Sequence, residues 1–167
     1  MIKPKKLHDI EKIKTLLLYD PLTGFFTWKV NRKGSAKIGM KAGWRHGGGY
    51  VALRVDNHEY LAHRLAWALH YGEPPEDAQI DHINGNRSDN SIANLRLASH
   101  SENCWNSKAR SHNKSGIKGI RKRGSKWHVR IRHNGITYWL GSYDTPEKAK
   151  AAYDAAALKY HGEFSKV

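Results

Sequence analysis

The chain has 167 residues, a formal net charge of +14 at pH 7 and a pI of about 9.9. That length holds one ordinary domain or two small ones, and a basic excess of this size indicates a polyanionic partner. The single cysteine, Cys104, excludes an intramolecular disulfide and a thiolate-built zinc site within one chain. No apolar run is long enough to span a membrane, so a membrane partner is excluded and a cytoplasmic location is expected.

The N-terminal part of the chain predicts a small mixed unit. Helical spacing over residues 7–19 predicts a helix that ends at the turn residues Asp20, Pro21 and Gly24. A glycine-rich loop is predicted over residues 39–49, and a second helix over residues 62–71, which Gly72 ends. The strands predicted among these elements cover residues 25–30, 50–55 and 58–61. They indicate a small antiparallel sheet.

The next segment predicts a β-loop-β-α unit. Strands over residues 80–83 and 94–98 flank a polar loop over residues 84–90, and Ser99 with Glu102 forms a capping box that opens a helix. Asp81 and His82 lie side by side on the first strand. A phosphodiester hydrolase needs a cation to hold phosphate oxygens and a base to take a proton from water. The Asp-His pair supplies a metal ligand and a base.

The placement of this pair constrains the strand. Adjacent side chains on a strand point to opposite faces, so Asp81 and His82 serve one site only if the strand ends or twists there. The polar run at residues 84–86 predicts such an ending. Asn103 follows 22 positions after Asp81, where a helix packed across the hairpin brings its amide oxygen back to the carboxylate. The spacing fits one metal ion that bridges strand and helix.

These residues resemble the HNH endonucleases of phage genomes and introns. The resemblance covers roughly residues 20 to 107, and its motifs are His63-Arg64-Leu65-Ala66-Trp67, Asp81-His82-Ile83-Asn84-Gly85-Asn86, Asp89-Asn90, Asn94-Leu95-Arg96 and Glu102-Asn103. It implies that His82 is the general base and that Asn94 fixes the loop of the catalytic unit. It also implies that Asp81 and Asn103 bind one divalent cation, Mg²⁺ or Mn²⁺. The third motif residue is Asn103 instead of histidine, which favours a hard, oxygen-ligated Mg²⁺ site.

His63 is a secondary candidate for the same site. It would contact phosphate if it faced the catalytic unit. On a helix flanked by apolar residues, however, a hydrogen-bonded structural histidine is more common, by roughly two to one. Both interpretations stay open.

A second module follows a linker at residues 110–115. Three strands are predicted over residues 119–123, 126–133 and 137–143, with Asn134-Gly135 as a two-residue hairpin turn. Thr145 and Pro146 open an alanine-rich helix. Nine basic residues and no acidic one lie between Arg110 and His133, which indicates a folded nucleic-acid-binding surface.

This module resembles the plant ethylene-response-factor (apetala) DNA-binding domain over about residues 115 to 164. The motifs are Ser115-Gly116-Ile117-Lys118-Gly119-Ile120-Arg121, Lys126-Trp127, Ile131-Arg132, Trp139-Leu140-Gly141-Ser142-Tyr143 and Ala151-Ala152-Tyr153-Asp154-Ala155-Ala156. The resemblance implies that the sheet enters the major groove of DNA. The matching DNA-contacting positions are Arg121, Arg123, Trp127, Arg130, Arg132 and Trp139. Lysines such as Lys118 are expected to contact phosphate.

The sequence therefore predicts an α+β protein of two modules. Residues 1–109 form the nuclease domain, whose ββα-metal (HNH, His-Me finger) core is residues 61–108, and residues 116–167 form a three-stranded antiparallel sheet with one packed helix. The predicted function is Mg²⁺-dependent homing-type cleavage of double-stranded DNA, as a nick at a specific site. The expected state is a monomer, with a dimer on DNA as the alternative. The resemblance implies a phage-encoded protein acting in the cytoplasm of a bacterial host.

Two other functions compete with this prediction. The first is a non-catalytic, sequence-specific DNA-binding regulator that keeps the nuclease fold as a platform, and the intact Asp81, His82 and Asn103 argue against it. The second is an RNA-binding module. A sheet that reads base edges is excluded from the deep, narrow major groove of A-form RNA, which disfavours duplex RNA as the target.

Overall fold

The structure is a computed structural model that describes residues 10–34, 36–109, 113 and 115–166. The chain divides into two compact units, Met1–Ser99 and His100–Val167. The helix after Ser99, predicted as part of the nuclease domain, falls in the second unit. Residues 110–112 and 114 of the predicted linker, and residues 7–9 of the predicted first helix, lie outside the described residues. Among the described residues, no helix is long and apolar enough to cross a membrane.

The described residues of the first unit form two helices and three small antiparallel sheets. The helices are α1 (Ile10–Leu16) and α2 (Ala62–Tyr71). The sheets are β1 (Leu17–Tyr19) with β2 (Phe26–Trp28) and β3 (Lys41–Ala42), then β4 (Trp44–Arg45) with β5 (Val51–Val55) and β6 (His58–Leu61), then the hairpin of β7 (Gln79–His82) and β8 (Leu95–Ala98). Short 3-10 turns lie at Gly47–Gly49 and Ile92–Asn94.

The main difference from the prediction is at the end of the first helix. The chain leaves the helical conformation at Leu16, and Leu17 pairs with Trp28 as the start of strand β1. Leu17 is buried whereas Leu18 is 58% exposed, which is the two-residue alternation of a strand. A run of consecutive leucines fits both periodicities, so tertiary pairing decided between them. The predicted glycine-rich loop likewise contains the short strands β3 and β4.

One apolar core supports the first unit. Its fully buried side chains include Ile13 of α1, Phe26 of β2, Leu53 of β5 and Leu65 of α2. Helix α2 has the predicted bounds and ends at Gly72, which has φ 92° and whose amide donates to the carbonyl of Ala68 at 3.1 Å. The helix and β5 thus fix the surroundings of the hairpin formed by β7 and β8.

The second unit begins with a short helix and continues as a sheet with one long helix. The elements are α3 (His100–Asn106), β9 (Ile120–Arg123), β10 (Lys126–His133), β11 (Ile136–Tyr143) and α4 (Pro146–His161). The sheet order is β11-β10-β9, all antiparallel. Asn134 and Gly135 have φ of 48° and 80° and connect β10 to β11, as the two-residue hairpin requires. The predicted three-stranded antiparallel sheet with one helix is confirmed.

Helix α4 covers one face of this sheet. The side chain of Thr145 accepts a hydrogen bond from the amide of Lys148 at 3.3 Å, and Pro146 occupies the first turn, so both predicted helix-start residues act as such. The buried residues that join helix and sheet are Ile120, Val129, Ile131, Ala149, Tyr153, Ala156 and Ala157. The opposite face of the sheet is exposed and rich in arginine.

Candidate active site

The hairpin of β7 and β8 ends where the sequence predicts. His82 is the last paired residue of β7, opposite Leu95, and the amide of Gly85 donates to its carbonyl at 2.8 Å. Gly85 has φ 70°, a conformation that favours glycine. The backbone therefore turns directly after His82. Within the strand the two side chains have different partners, Arg96 for Asp81 and Asn90 for His82.

Asn94 ties the loop between the two strands to the hairpin. Its side-chain oxygen accepts from the amide of Asn84 at 2.9 Å, and its side-chain nitrogen donates to the carbonyl of Asp89 at 2.8 Å. Its own carbonyl accepts from the amide of Ile83 at 2.9 Å. Asn94 is buried, and its contacts hold both ends of the loop.

Asp81 is a buried carboxylate with a cross-strand cation. It lies directly opposite Arg96, whose Nε and Nη2 both lie 3.0 Å from Asp81 Oδ2. Asp81 is 6% exposed and the Arg96 side chain 12%. A buried carboxylate requires such a partner, so Arg96 keeps Asp81 in place within the hairpin.

His82 lies in a pocket of rings and amides. Its Nε2 is 3.2 Å from the side-chain oxygen of Asn90, and its ring centroid is 5.1 Å from that of His63 and 6.0 Å from that of Tyr50. Burial lowers the pKa of His82 below its usual value, while the Asn90 hydrogen bond and the nearby charge of Asp81 act in the opposite direction. The imidazole is therefore neutral near pH 7, as a general base must be.

Asn90 also selects the tautomer of His82. Its side-chain nitrogen donates to the carbonyl of Ser88 at 3.3 Å, which turns its oxygen towards His82. That oxygen can only accept a hydrogen bond, so Nε2 of His82 carries the proton and Nδ1 carries the basic lone pair. Asn90 is 2% exposed, and its burial makes this arrangement rigid.

Hydrogen bonds and close packing from residues 19–24 support the backbone of Asn90. The hydroxyl of Tyr19 donates to the carbonyl of Asn90 at 2.8 Å, and the amide of Ile92 donates to the carbonyl of Pro21 at 2.9 Å. Gly24 packs so closely that an added Cβ would lie 2.3 Å from backbone atoms of Asn90 and Ser91. The turn at residues 20–24, which the sequence predicts only as the end of the first helix, thus supports the loop beside His82.

His63 is the second histidine of the pocket. It is 6% exposed, and its Nδ1 has no hydrogen-bond partner among the described residues. Burial, with smaller contributions from His82 and Arg64, lowers its pKa to about 3, so it is neutral under ordinary conditions. Its ring packs against that of His82, and both interpretations from the sequence, a structural histidine and a phosphate contact, stay open.

Two residues beside the pocket were missed from the sequence. Arg87 donates to the carbonyl of Gly48 at 3.0 Å, and its guanidinium lies 4.8 Å from the ring centroid of Tyr50. The Tyr50 ring is in turn 5.2 Å from His63. The sequence shows an arginine in the loop after the Asp-His pair and a tyrosine after a run of glycines. It does not show that the two side chains meet, because their contact depends on tertiary packing.

The ligand set predicted for the cation has the chemistry of a magnesium site. Asp81 supplies a carboxylate and Asn103, half-buried on α3 of the second unit, supplies an amide oxygen, and such hard oxygen donors suit Mg²⁺. No group of three or more His, Cys, Asp or Glu residues in the described chain is placed to hold a metal ion.

The face of the C-terminal sheet opposite α4 carries all but one of the residues that the sequence predicts to contact DNA. Arg130 lies opposite Trp139, and His128 opposite Arg121, and opposed residues share a face. Trp139 is 60% exposed, with its ring 5.1 Å from that of His128. The exposed members of this face, called here the arginine face, are Arg121, Arg123, Arg130, Arg132 and Trp139.

Trp127 requires a correction. It lies opposite Lys122 and Tyr143 and packs, partly buried, against the core beneath helix α4. A β-strand alternates its faces, so Trp127 points away from the arginine face, with Lys122 Nζ 5.5 Å from its ring centroid. Trp127 therefore packs against the core, and its neighbour His128 lies on the arginine face.

Lys118 also differs from its predicted role. Its Nζ is 2.6 Å from the carbonyl oxygen of Cys104 and 2.9 Å from that of Trp105. Burial lowers its pKa below the usual value. The ammonium group thus contacts the carbonyls at the end of helix α3.

Comparison with known proteins agrees with both modules. Residues 60–104 match the family model described as HNH endonuclease, and residues 115–163 match the AP2 domain model. The uncharacterized HNH endonuclease L560 of Acanthamoeba polyphaga mimivirus is 33% identical over 129 residues, which are 77% of this chain and 67% of the relative. Protein 3.8 of Escherichia phage T7 is 33% identical over 62% of this chain and 87% of its own length.

The AP2 match has relatives of a different kind. The ethylene-responsive transcription factor ERF015 of Arabidopsis thaliana is 51% identical over 49 residues, which are 28% of this chain and 26% of that protein. A solved structure described as DNA binding and cleavage by the HNH homing endonuclease I-HmuI aligns over 94% of this chain and 91% of that chain, with a TM-score of 0.44 and 19% identity.

The chain is thus a DNA endonuclease equipped with a separate DNA-binding domain. It belongs to the HNH endonuclease family and carries an AP2 domain at its C-terminal end.

Proposed function

We propose that the protein hydrolyses one phosphodiester bond of duplex DNA, with His82 as the general base, at a site read by the arginine face. The observation that carries this proposal is the placement of His82, which is buried at the end of β7 with its Nε2 3.2 Å from the side-chain oxygen of Asn90. A single base serves a single scissile bond, so each chain nicks one strand.

The reaction requires one displacement and two proton transfers. Nδ1 of His82 takes a proton from water as the water oxygen attacks phosphorus, the bond from phosphorus to the 3′ oxygen breaks, and the departing 3′ oxygen takes a proton from solvent water. By resemblance to the family, the products carry 5′-phosphate and 3′-hydroxyl ends. The rings of His63 and Tyr50, 5.1 Å and 6.0 Å from His82, keep the imidazole oriented and limit its contact with bulk water.

Asp81 and Asn103 are the proposed ligands of the divalent cation. When bound, Mg²⁺ or Mn²⁺ would supply positive charge to the scissile phosphate and to the departing oxygen. The pairing of these two residues rests on the motif and its spacing. Arg96 contributes by fixing the carboxylate of Asp81, since its Nε and Nη2 both lie 3.0 Å from Oδ2.

Arg87 is the proposed phosphate-binding side chain of the nuclease loop. The carbonyl of Gly48 and the face of Tyr50 hold its guanidinium beside the His82 pocket. Arginine suits this role because its planar donor group matches phosphate oxygens. Arg87→Ala should weaken binding to all duplexes alike, whereas a loss of site preference would assign Arg87 to base reading.

The arginine face is the proposed reader of the DNA sequence. Arginine side chains recognise guanine in the major groove through paired hydrogen bonds, and Arg130 and Arg132 alternate with the buried Val129 and Ile131 along β10, so they project from the same side. The nearby Trp139 offers a flat surface for sugars or base methyl groups.

Incubation with supercoiled plasmid tests the proposal. Nicked circles should accumulate in Mg²⁺ and fail to form in EDTA, and end mapping should place the breaks at a preferred sequence on one strand. Tight, specific binding without any cleavage in Mg²⁺ or Mn²⁺ would instead support the non-catalytic regulator. Linear DNA that forms at limiting enzyme, without prior nicked circles and without a dimer on DNA, would contradict single-strand cleavage.

A further inference from the structure

The C-terminal end of helix α3 lacks a cation of its own. The helix ends at Asn106 and has no basic residue in its last turn. The last carbonyls of an α-helix have no partner within the helix, and they carry partial negative charge. The carbonyls of Cys104 and Trp105 are in this position, directly after Asn103.

Lys118 supplies the missing cation. Its Nζ lies 2.6 Å from the carbonyl oxygen of Cys104, 2.9 Å from that of Trp105 and 3.2 Å from that of Ser107, with the Ser107 hydroxyl at 3.4 Å. One ammonium group thus engages the carbonyls of the last turn together with that of Ser107. Each contact joins α3 to the segment that leads into strand β9.

The backbone around Lys118 is itself fixed by the AP2 domain. The carbonyl of Gly119 accepts from the amide of Arg130 at 2.9 Å. A Cβ at Gly119 would lie 2.2 Å from the Tyr153 ring and 2.4 Å from the Arg130 carbonyl oxygen, so this segment packs closely between β10 and α4. Lys118 therefore reaches α3 from a rigid support.

Trp105 makes a second attachment on the same helix. Its ring lies parallel to that of His161 at the end of α4, with centroids 4.4 Å apart and planes 7° apart, and it also stacks on His133 at 5.0 Å. His161 Nε2 is 3.1 Å from the carbonyl oxygen of Arg132, which links this stack to the strand that carries the arginine face.

We propose that Lys118 is a positioning residue that fastens the helix bearing Asn103 to the AP2 domain, so that the DNA-reading domain helps to hold a metal ligand of the nuclease. The part concerning the metal rests on the proposed function of Asn103. The fastening itself rests on the contacts of Lys118 and Trp105. Lys118 is then not a phosphate-contacting residue, although it lies in the most basic segment of the chain.

The test compares Lys118→Met, which keeps the length of the side chain, with Lys118→Arg, which keeps the charge. Lys122→Met is the matched control, since Lys122 is an exposed lysine four positions away on β9. Amide hydrogen exchange of residues 100–107 is measured without metal. Lys118→Met should speed this exchange by about 5- to 30-fold, the range expected for a partly buried charge at a helix C-terminus, whereas Lys118→Arg restores protection and Lys122→Met leaves it unchanged.

Two functional measurements complete the test. On saturating duplex, Lys118→Met should raise the Mg²⁺ concentration for half-maximal cleavage, and Lys118→Arg should restore it. Duplex binding in EDTA should keep the wild-type salt dependence. A salt slope lowered by about 0.9 with unchanged exchange would make Lys118 a phosphate contact and overturn the proposal, as would an unchanged Mg²⁺ requirement in a variant whose α3 exchanges faster.

Failure of the proposed metal site would be seen separately. An Asn103→Ala variant with the wild-type Mg²⁺ requirement would remove Asn103 as a metal ligand, and the Mg²⁺ requirement of Lys118→Met would then no longer bear on the fastening of α3. The exchange and salt-slope results would still decide whether Lys118 fastens α3.

Discussion

The chemistry of the candidate site depends on a few buried polar residues whose partners lie within the same hairpin, 15 and 8 positions along the chain. Asp81 has Arg96, and His82 has Asn90. His63, in contrast, has a buried Nδ1 without a hydrogen-bond partner among the described residues. A buried polar atom left unpaired costs stability, which is typical of a site where function has priority over stability.

His63 should make stability depend on pH. The pKa of His63 is about 3 in the folded protein against an ordinary value of 6.5. Its contribution to the free energy of unfolding is therefore complete above pH 6.5 and is lost as the pH falls towards 3. Between these values the unfolded chain binds a proton that the folded chain does not, which lowers the free energy of unfolding by at most about 1.4 kcal/mol per pH unit.

The variant His63→Phe keeps the ring and removes the titration. Urea unfolding at pH 7, 6, 5 and 4 should show a flatter profile for this variant than for the wild type. His70→Phe, at an exposed position on the same helix, is the control. A wild-type slope in His63→Phe would show that His63 is not responsible.

At the scale of elements, turn and helix-start residues predicted the hairpins and helix ends whose geometry depends on neighbouring residues. Asn134-Gly135 gave the hairpin of β10 and β11, and Thr145-Pro146 gave the start of α4. Strand β1 was missed because consecutive leucines fit both a helix and a strand. Strands β3 and β4 were missed because their pairing partners, β2 and β5, lie outside the glycine-rich segment.

Gly24 shows how an element far from the hairpin controls it. Gly24→Ala should destabilise the protein for two reasons, since φ is 73° and the added Cβ meets backbone of Asn90 and Ser91 at 2.3 Å. Gly34→Ala is the matched control, with φ 74° and no atom within 4 Å of the added Cβ. Chemical denaturation should show a loss about 1–3 kcal/mol larger for Gly24→Ala. Equal losses would mean that the turn does not support the loop.

The two faces of the C-terminal sheet should respond differently to substitution. Arg130→Ala or Arg132→Ala should relax site preference and cost about 1–3 kcal/mol of specific binding if the side chain makes a bidentate base contact, with thermal stability preserved. Trp127→Ala should lower stability because it opens the core beneath α4. Competition between specific and random duplexes measures the effect on site preference, and thermal melts of each variant measure the effect on stability. A change of site preference in Trp127→Ala alone would contradict the assignment of faces.

At the scale of the whole molecule, the sequence predicted both modules and their class, and the comparisons confirmed them. What it could not predict depends on packing between distant segments. The pocket of Tyr50, His63 and His82 requires β5, α2 and β7 to meet. Lys118 was expected on DNA because charge composition does not show where an ammonium group lies, and its contacts with α3 became visible only in the folded unit.

Metal and DNA binding should be coupled. One carboxylate and one amide offer too little charge to hold Mg²⁺ firmly, and phosphate oxygens would complete the site. Calorimetric titration with Ca²⁺ as a probe should therefore show much tighter binding in the presence of duplex DNA than in its absence. Equal affinity in both cases would contradict a metal site shared with the substrate.

The central claim is that His82 is the base for DNA cleavage, and the most direct test is His82→Ala. Plasmid nicking in Mg²⁺ and duplex binding in EDTA are measured on the same preparations, with His70→Ala as the control. The cleavage rate should fall by about 10²–10⁴, whereas duplex affinity stays at the wild-type value because the arginine face is intact. Wild-type cleavage by His82→Ala would contradict the account.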